Sequence, residues 1–396
     1  MRILRIADVP DNRTGGMSRA MYCTGDVLKE WGHEVEYIFR DQLPSRVPQQ
    51  LRRFRIPLKL PGLVRRLSGE RRFDVVEIHE PLAAAYCLER DFGMDLPPVA
   101  VFSHGLEENG NAAELAYKRS AGITVSLKNR LSPLSVVWQA VFSTRHADHV
   151  ICTNVSDARH LISRGVLPAR VTVQHNGVDR DFLSYGEIIG APDSVAARPL
   201  DILFLGSWIL RKGIREVVAA MKEVWQRHPR VRLTVAGCGV DREIIFAAFP
   251  VELRPRLEVI PRVDAPRELL SVYARHSILL LPSFYEGHPL VMVEAAAMRM
   301  AIVTTGICGM LDFIRDGENG RLVRVGDSRQ IADVVSELVG DAAQRARLGS
   351  AAFETAKHHT WTAAARQILA AYEGAAAAQP ANGYFKKVRY WLAPPR

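Results

Sequence analysis

The sequence predicts an α/β protein of two domains, each a parallel β-sheet covered on both faces by helices. Three observations carry that reading. Short apolar runs alternate with longer helix-patterned segments, the pattern of parallel sheets. The alternation stops over residues 184–199 and then restarts. The chain has 396 residues, 48% of them apolar, and single cores rarely grow past roughly 250–300 residues.

The first domain, residues 1–183, opens on a strand at 3–7. Further apolar runs at 35–39, 75–78, 99–102, 150–152 and 171–173 give its other strands. Residues 184–199 (SYGEIIGAPDSVAARP) hold Gly, Pro and small side chains and read as a linker. Strands at 202–205, 233–236, 257–260, 278–281, 301–304 and 322–323 then build the second domain, residues 200–372. Residues 373–396 read as a basic, aromatic tail placed to pack back on the first domain.

The net charge is +9, which favours anionic partners: nucleotides, nucleic acid or acidic lipid. No nucleic-acid-binding motif is present, so nucleic acid is not an expected partner. Cys23, Cys87, Cys152, Cys238 and Cys308 are scattered and form no C-x-x-C pair. That argues against a disulfide framework or a zinc site and for a reducing compartment. The first residues read as a strand rather than a leader, and no run reaches the ~18 apolar residues of a spanning helix. A cytoplasmic protein is expected, soluble or peripheral at the inner face of the membrane. Residues 51–72 place Arg52, Arg53, Arg55, Lys59, Arg65, Arg66, Arg71 and Arg72 among apolar residues. Residues 384–396 join Lys386, Lys387 and Arg389 to Tyr390 and Trp391. Such clusters suit an anionic membrane surface; a solvated basic face is the plainer alternative.

The most specific segment is residues 279–297, LLLPSFYEGHPLVMVEAAA. A buried strand ends at Pro282, a loop follows, and helix-compatible residues begin near Pro289, a residue suited to a first helical turn. Strand, tight loop and helix start present backbone N–H groups to an anion. Gly287 lets the chain approach a ligand closely. Glu286 can accept hydrogen bonds from a sugar, Glu294 can hold the two hydroxyls of a ribose, and a diphosphate fits between them over Gly287, His288, Pro289 and Leu290. A favourable acid near a helix start plus an ordinary helix glutamate would be the bland reading.

A second segment, residues 204–213, runs from a strand through Gly206 to Arg211, Lys212 and a helix from Gly213. Two cations beside a helix start suit a diphosphate, Arg as a planar fork and Lys as a point charge. Residues 11–18 carry the pair Gly15 and Gly16 between a strand and a helix. This is not G-x-G-x-x-G, so dinucleotide binding is not indicated. His104 ends one strand of the first domain, and His79-Glu80-Pro81 ends another. Ligands of open α/β sheets bind beyond these strand ends.

Glu286 and Glu294, with seven residues between them, resemble the paired-glutamate motif of the family 4 retaining glycosyltransferases (glycosyl transferases group 1), which have the GT-B fold. Residues 304–314 and 316–323 are similar to that family's next two blocks, and the resemblance covers residues 200–370. It implies two Rossmann-like domains facing across a cleft and a nucleotide-diphosphate sugar as donor. It implies transfer of a hexose-type sugar to a glycan or lipid-linked acceptor, with retained configuration and no metal or other cofactor. By the same resemblance Lys212 sits at the diphosphate-clamping lysine and the Gly15–Gly16 loop reaches the donor phosphate. His104 and Glu286 fall at catalytic positions. Ser207 stands where the family has an arginine, and Arg211 is the candidate to replace that charge. A sugar-nucleotide epimerase on the same scaffold and a noncatalytic nucleotide-sugar-binding module are the competing readings.

Overall fold

The computed structural model describes residues 1–44, 49–69, 71–125, 136–190, 199–263 and 265–378. Most of the linker, residues 191–198, and the basic part of the tail, residues 379–396, lie outside the described residues.

Among the described residues, twelve strands form two six-stranded sheets, parallel throughout. In the first are β1 (Arg2–Ile6), β2 (Glu34–Ile38), β3 (Val75–His79), β4 (Val99–Ser103), β5 (His149–Cys152) and β6 (Val171–Val173). In the second are β7 (Ile202–Leu205), β8 (Leu233–Ala236), β9 (Leu257–Ile260), β10 (Ile278–Leu281), β11 (Ala301–Thr305) and β12 (Arg321–Val323). The central strands β3, β4, β10 and β11 are buried at every position. That is why they read as largely apolar runs rather than as alternation, with buried exceptions such as Glu77 and His79 of β3.

The sheet orders are β2-β1-β3-β4-β5-β6 and β12-β11-β10-β7-β8-β9. Each reverses direction once, between β1 and β3 in the first sheet and between β7 and β10 in the second. A crevice opens beyond the carboxyl ends of the strands at such a reversal. The loops after β7 and β10 therefore meet, as do those after β1 and β3.

Two features depart from the sequence reading of the boundaries. Residues 184–189, assigned from the sequence to the linker, complete a helix, Arg180–Ile189. Its Phe182 joins the core of the second domain with Tyr273 and Met292. Gly186 is small because a Cβ there would overlap Ala297 O and the Phe353 ring. Second, the chain recrosses before residue 372. Val178 N donates to His359 O at 2.9 Å, and Val178 pairs with Thr360 as an isolated bridge. The following helix, Trp361–Ala377, packs Ala365, Ile368, Ala371, Tyr372 and Ala375 against Ile3, Val75, Ala100, Phe102 and Ile151 of the first sheet. The end of the described chain thus completes the core of its beginning.

Candidate functional site

At the second sheet's reversal the two loops interlock. Gly206 leaves β7 with φ 141° and Gly213 takes φ 74°, conformations that suit a residue without a Cβ. A Cβ on Gly213 would overlap Pro282 O at the end of β10. Arg211 fastens the contact: it accepts from Phe284 N at 2.8 Å through its carbonyl, and its Nη1 donates to Tyr285 O at 2.7 Å. Lys212 Nζ lies 2.5 Å from Glu286 Oε1, and Arg211 Nη1 lies 3.8 Å from Glu286 Oε2. Ser283 Oγ donates to Glu286 at 2.7 Å. Burial pushes the Glu286 carboxyl up, but Lys212, Arg211 and Ser283 outweigh it and hold the group below the ordinary carboxylate range. Ser207 is exposed.

The helix after this loop, Leu290–Ala297, has Pro289 at its N-cap and no side-chain cap. Met292 N donates to Pro289 O at 3.1 Å, which leaves the Leu290 and Val291 amides of its first turn for a ligand or water. Glu294 sits inside the helix, 2% exposed. Tyr273 OH donates to its Oε2 at 2.6 Å. Its other oxygen is paired with Arg19 of the first domain.

The first domain supplies the opposite wall. Gly15 N-caps the helix Gly16–Glu30, and a Cβ on Gly16 would lie 3.9 Å from Leu290 Cδ1, so this loop faces the start of the Leu290–Ala297 helix. Gly287 is wedged between the domains: a Cβ on it would overlap His104 O and Thr153 Oγ1. Around this contact lies a cavity of about 290 Å³ lined by Met17, His79, Glu80, His104, Glu107, Asn111, Glu114, Arg211, Tyr285 and Gly287, among others. Burial pushes the His104 imidazole well down, and the neighbouring His79 adds to the shift. Glu80 moves the other way. Burial lifts its carboxyl to about 8, more than the Ser103 hydrogen bond lowers it, and its Oε2 has no partner among the described residues. At neutral pH it is largely a neutral acid that can donate a hydrogen bond.

The structure therefore brings together His104, Arg211 and Gly287 in one cavity, with Glu286 and Lys212 adjoining it. Gly15, Gly16, Pro289 and Leu290 frame the start of the Leu290–Ala297 helix. Two residues are placed elsewhere than the sequence suggests. Glu294 is occupied by Arg19 rather than open to a ribose. The His288 side chain is buried: its ring accepts from Asn176 N at 3.2 Å and stacks on His359 at 5.4 Å between centroids, beneath the double crossing. Its backbone, not its ring, belongs to the loop after β10. Sequence reasoning missed Arg19, whose signal is its place one turn past Gly16. It also missed Tyr285, which donates to Asp157 at 2.7 Å across the domain boundary.

Two family models match the chain. One described as Glycosyltransferase Family 4 matches residues 14–182, and one described as Glycosyl transferases group 1 matches residues 193–355. A D-inositol 3-phosphate glycosyltransferase of Nocardioides sp. is 29% identical over 254 residues, covering 58% of this chain and 54% of that protein. A glycogen synthase of Mycobacterium tuberculosis is 27% identical over 316 residues, covering 78% and 71%. The matched region spans little more than half the length of the inositol-phosphate enzyme. Among solved structures, sucrose-phosphate synthase from Thermosynechococcus elongatus has a TM-score of 0.74 at 19% identity, over 96% of this chain and 100% of that one. HepE of Anabaena in complex with UDP-glucose has a TM-score of 0.65 at 15% identity, over 93% and 98%. At these identities the structural likeness establishes the fold.

Proposed function

The chain belongs to the family 4 glycosyltransferases of the GT-B fold, and from that premise we propose that it moves a hexose-type sugar from a nucleotide-diphosphate sugar to a glycan or lipid-linked acceptor with retained configuration. One observation carries the reading: Lys212, Arg211 and Glu286 meet at the reversal of the second sheet, beside the cavity that Arg211 lines together with His104. The same loops hold cations for a leaving diphosphate and a carboxylate for a sugar. Lys212 and Arg211 stabilise the charge that develops on the diphosphate as the glycosidic bond breaks, helped by the open amides of the Leu290–Ala297 helix. Glu286 orients sugar hydroxyls, and the neutral Glu80 and His104 face the sugar or its acceptor. Glu294 takes the ribose once Arg19 releases it. The UDP-glucose bound by HepE supports a nucleotide sugar as donor class.

A screen of nucleoside diphosphates by thermal shift tests this, because a ligand bound only by the folded chain stabilises it by about 2.7 kcal/mol at a hundredfold excess over Kd. Protection by at least one of them, undiminished by EDTA, is expected. Replacing Lys212 by Met should weaken that binding about 10- to 100-fold, the worth of a hydrogen bond to a charged group. Equal affinity in the variant would remove Lys212 from the diphosphate site.

The proposed acceptor side includes a membrane surface. The helix Gln49–Ser68 buries Ile56, Leu60 and Val64 and exposes Phe54, Arg55, Leu58 and Lys59 on its far side. Apolar side chains framed by cations fit an anionic bilayer. Sedimentation with anionic but not zwitterionic vesicles is the expected result, lost on replacing Phe54 and Leu58 by Ser.

A further inference from the structure

A line of buried hydrogen bonds runs from the middle of the first sheet to His104. Arg5 on β1 is 1% exposed and grips Glu77 on β3 through Nε at 2.7 Å and Nη2 at 3.2 Å. Tyr372, on the returning helix, donates to Glu77 Oε2 at 2.6 Å. His79 Nε2 lies 2.8 Å from Glu77 Oε1, and His104 Nε2 lies 3.1 Å from His79 Nδ1. The rings of His79 and Phe102 stack at 5.1 Å, which holds the imidazole in place.

Donors and acceptors can be assigned along this line. Burial pushes the Glu77 carboxyl up, but Arg5 and His79 outweigh it and keep the group ionised. An ionised carboxylate only accepts, so His79 Nε2 carries a proton. In a neutral imidazole the other nitrogen is then bare. With His79 as a neutral imidazole, its Nδ1 accepts and His104 Nε2–H donates to it. What remains is His104 Nδ1, bare and without a hydrogen bond among the described residues, on a side chain that lines the cleft.

We propose that Glu77 and His79 are positioning residues that lock His104 in its Nε2–H tautomer and so present Nδ1 as a fixed acceptor to a hydroxyl held in the cleft. The lock is a property of the ligand-free chain. That the hydroxyl belongs to a sugar rests on the glycosyltransferase reading. A fixed acceptor removes the need to reorganise the imidazole when the hydroxyl arrives, and it rejects a ligand that presents an acceptor atom there.

Two-bond proton–nitrogen correlation spectra of the full chain with ¹⁵N-labelled histidine read the tautomer directly. The expected spectrum at neutral pH shows His104 with Nε2 protonated and Nδ1 bare. Replacing His79 by Phe keeps the ring against Phe102 and removes the acceptor. The tautomer preference should then fall about tenfold, the equivalent of one hydrogen bond. Replacing His79 by Gln, which can donate to Glu77 and accept from His104, should restore it. A native His104 protonated on Nδ1, as a doubly protonated His79 would require, overturns the lock. So does an unchanged preference in the His79→Phe chain. With UDP-glucose as probe, the Nδ1 resonance should move in the native chain. Thermal protection by UDP-glucose with a motionless Nδ1 overturns the presentation to sugar. No protection by any nucleotide sugar counts against the donor reading, while the ligand-free spectra still decide the lock.

Discussion

Glu80 and Glu286 stand on opposite walls of one cleft, and their surroundings push them in opposite directions. Glu286 has two cations and a hydroxyl; Glu80 has Ser103 and the nearby acid Glu107. The contrast gives a pH prediction. The folded chain keeps the Glu80 proton up to about 8, whereas the unfolded chain releases it near the ordinary 4.5. This group's contribution is therefore intact below the unfolded value and is lost as pH rises through the window to about 8, with a slope of at most about 1.4 kcal/mol per pH unit. Replacing Glu80 by Gln should flatten the stability profile in that window, read by urea unfolding at several pH values. A native profile that rises with pH across the window in step with the variant's would exclude the neutral acid. Glu286 behaves inversely, stabilising above its unfolded value and losing that as pH falls. At this scale the sequence showed chemistry but not direction. Glu286, Lys212 and Arg211 were legible because one loop carries each charge to a predictable strand end. The fates of His288 and Glu294 were not, because their partners, Asn176 and Arg19, come from distant segments.

Among the elements, the strands were the most legible part. Burial makes the central strands largely apolar, and each sequence-derived strand falls within one residue of the observed span. The Arg180–Ile189 helix was hidden because Gly186 answers to a close approach by Ala297 O rather than to a turn. The destination of the Trp361–Ala377 helix was hidden because a local pattern does not say which sheet an apolar stripe will cover. Gly287 joins elements of both domains, and its substitution is informative. An Ala Cβ there would overlap His104 O and Thr153 Oγ1, so Gly287→Ala should part the domains. A larger radius of gyration by small-angle scattering and at least about a tenfold loss of transfer are expected, with an overpacking cost of about 1–3 kcal/mol. An unchanged radius would mean that the loop, not the domain contact, gives way. The buried Tyr372→Phe exchange should cost about 1.5–3 kcal/mol by removing a hydrogen bond from an ionised partner, seen as a lowered thermal midpoint.

For the whole molecule, a set of polar contacts joins the two domains across their boundary. Arg19 holds Glu294, Tyr285 holds Asp157, and Asp312 takes both His175, at 3.0 Å, and Val155 N, at 2.7 Å. Arg19 occupies the carboxylate that the proposed ribose contact needs, so nucleotide entry must displace it. A state that has to rearrange before binding lowers apparent affinity by its population. Arg19→Met should therefore tighten binding of UDP several-fold by isothermal titration. Weaker binding would make Arg19 part of the nucleotide site instead of its competitor.

The double crossing has a consequence for how such a chain is made. One face of the first sheet is covered by a helix encoded some two hundred residues after β6. At translation rates of roughly 5–20 residues per second, that face waits on the order of ten seconds or more on the ribosome before its cover emerges. The half synthesised first is thus the half that finishes folding last. Until then its apolar strands, not those of the later half, are what a chaperone would find to hold.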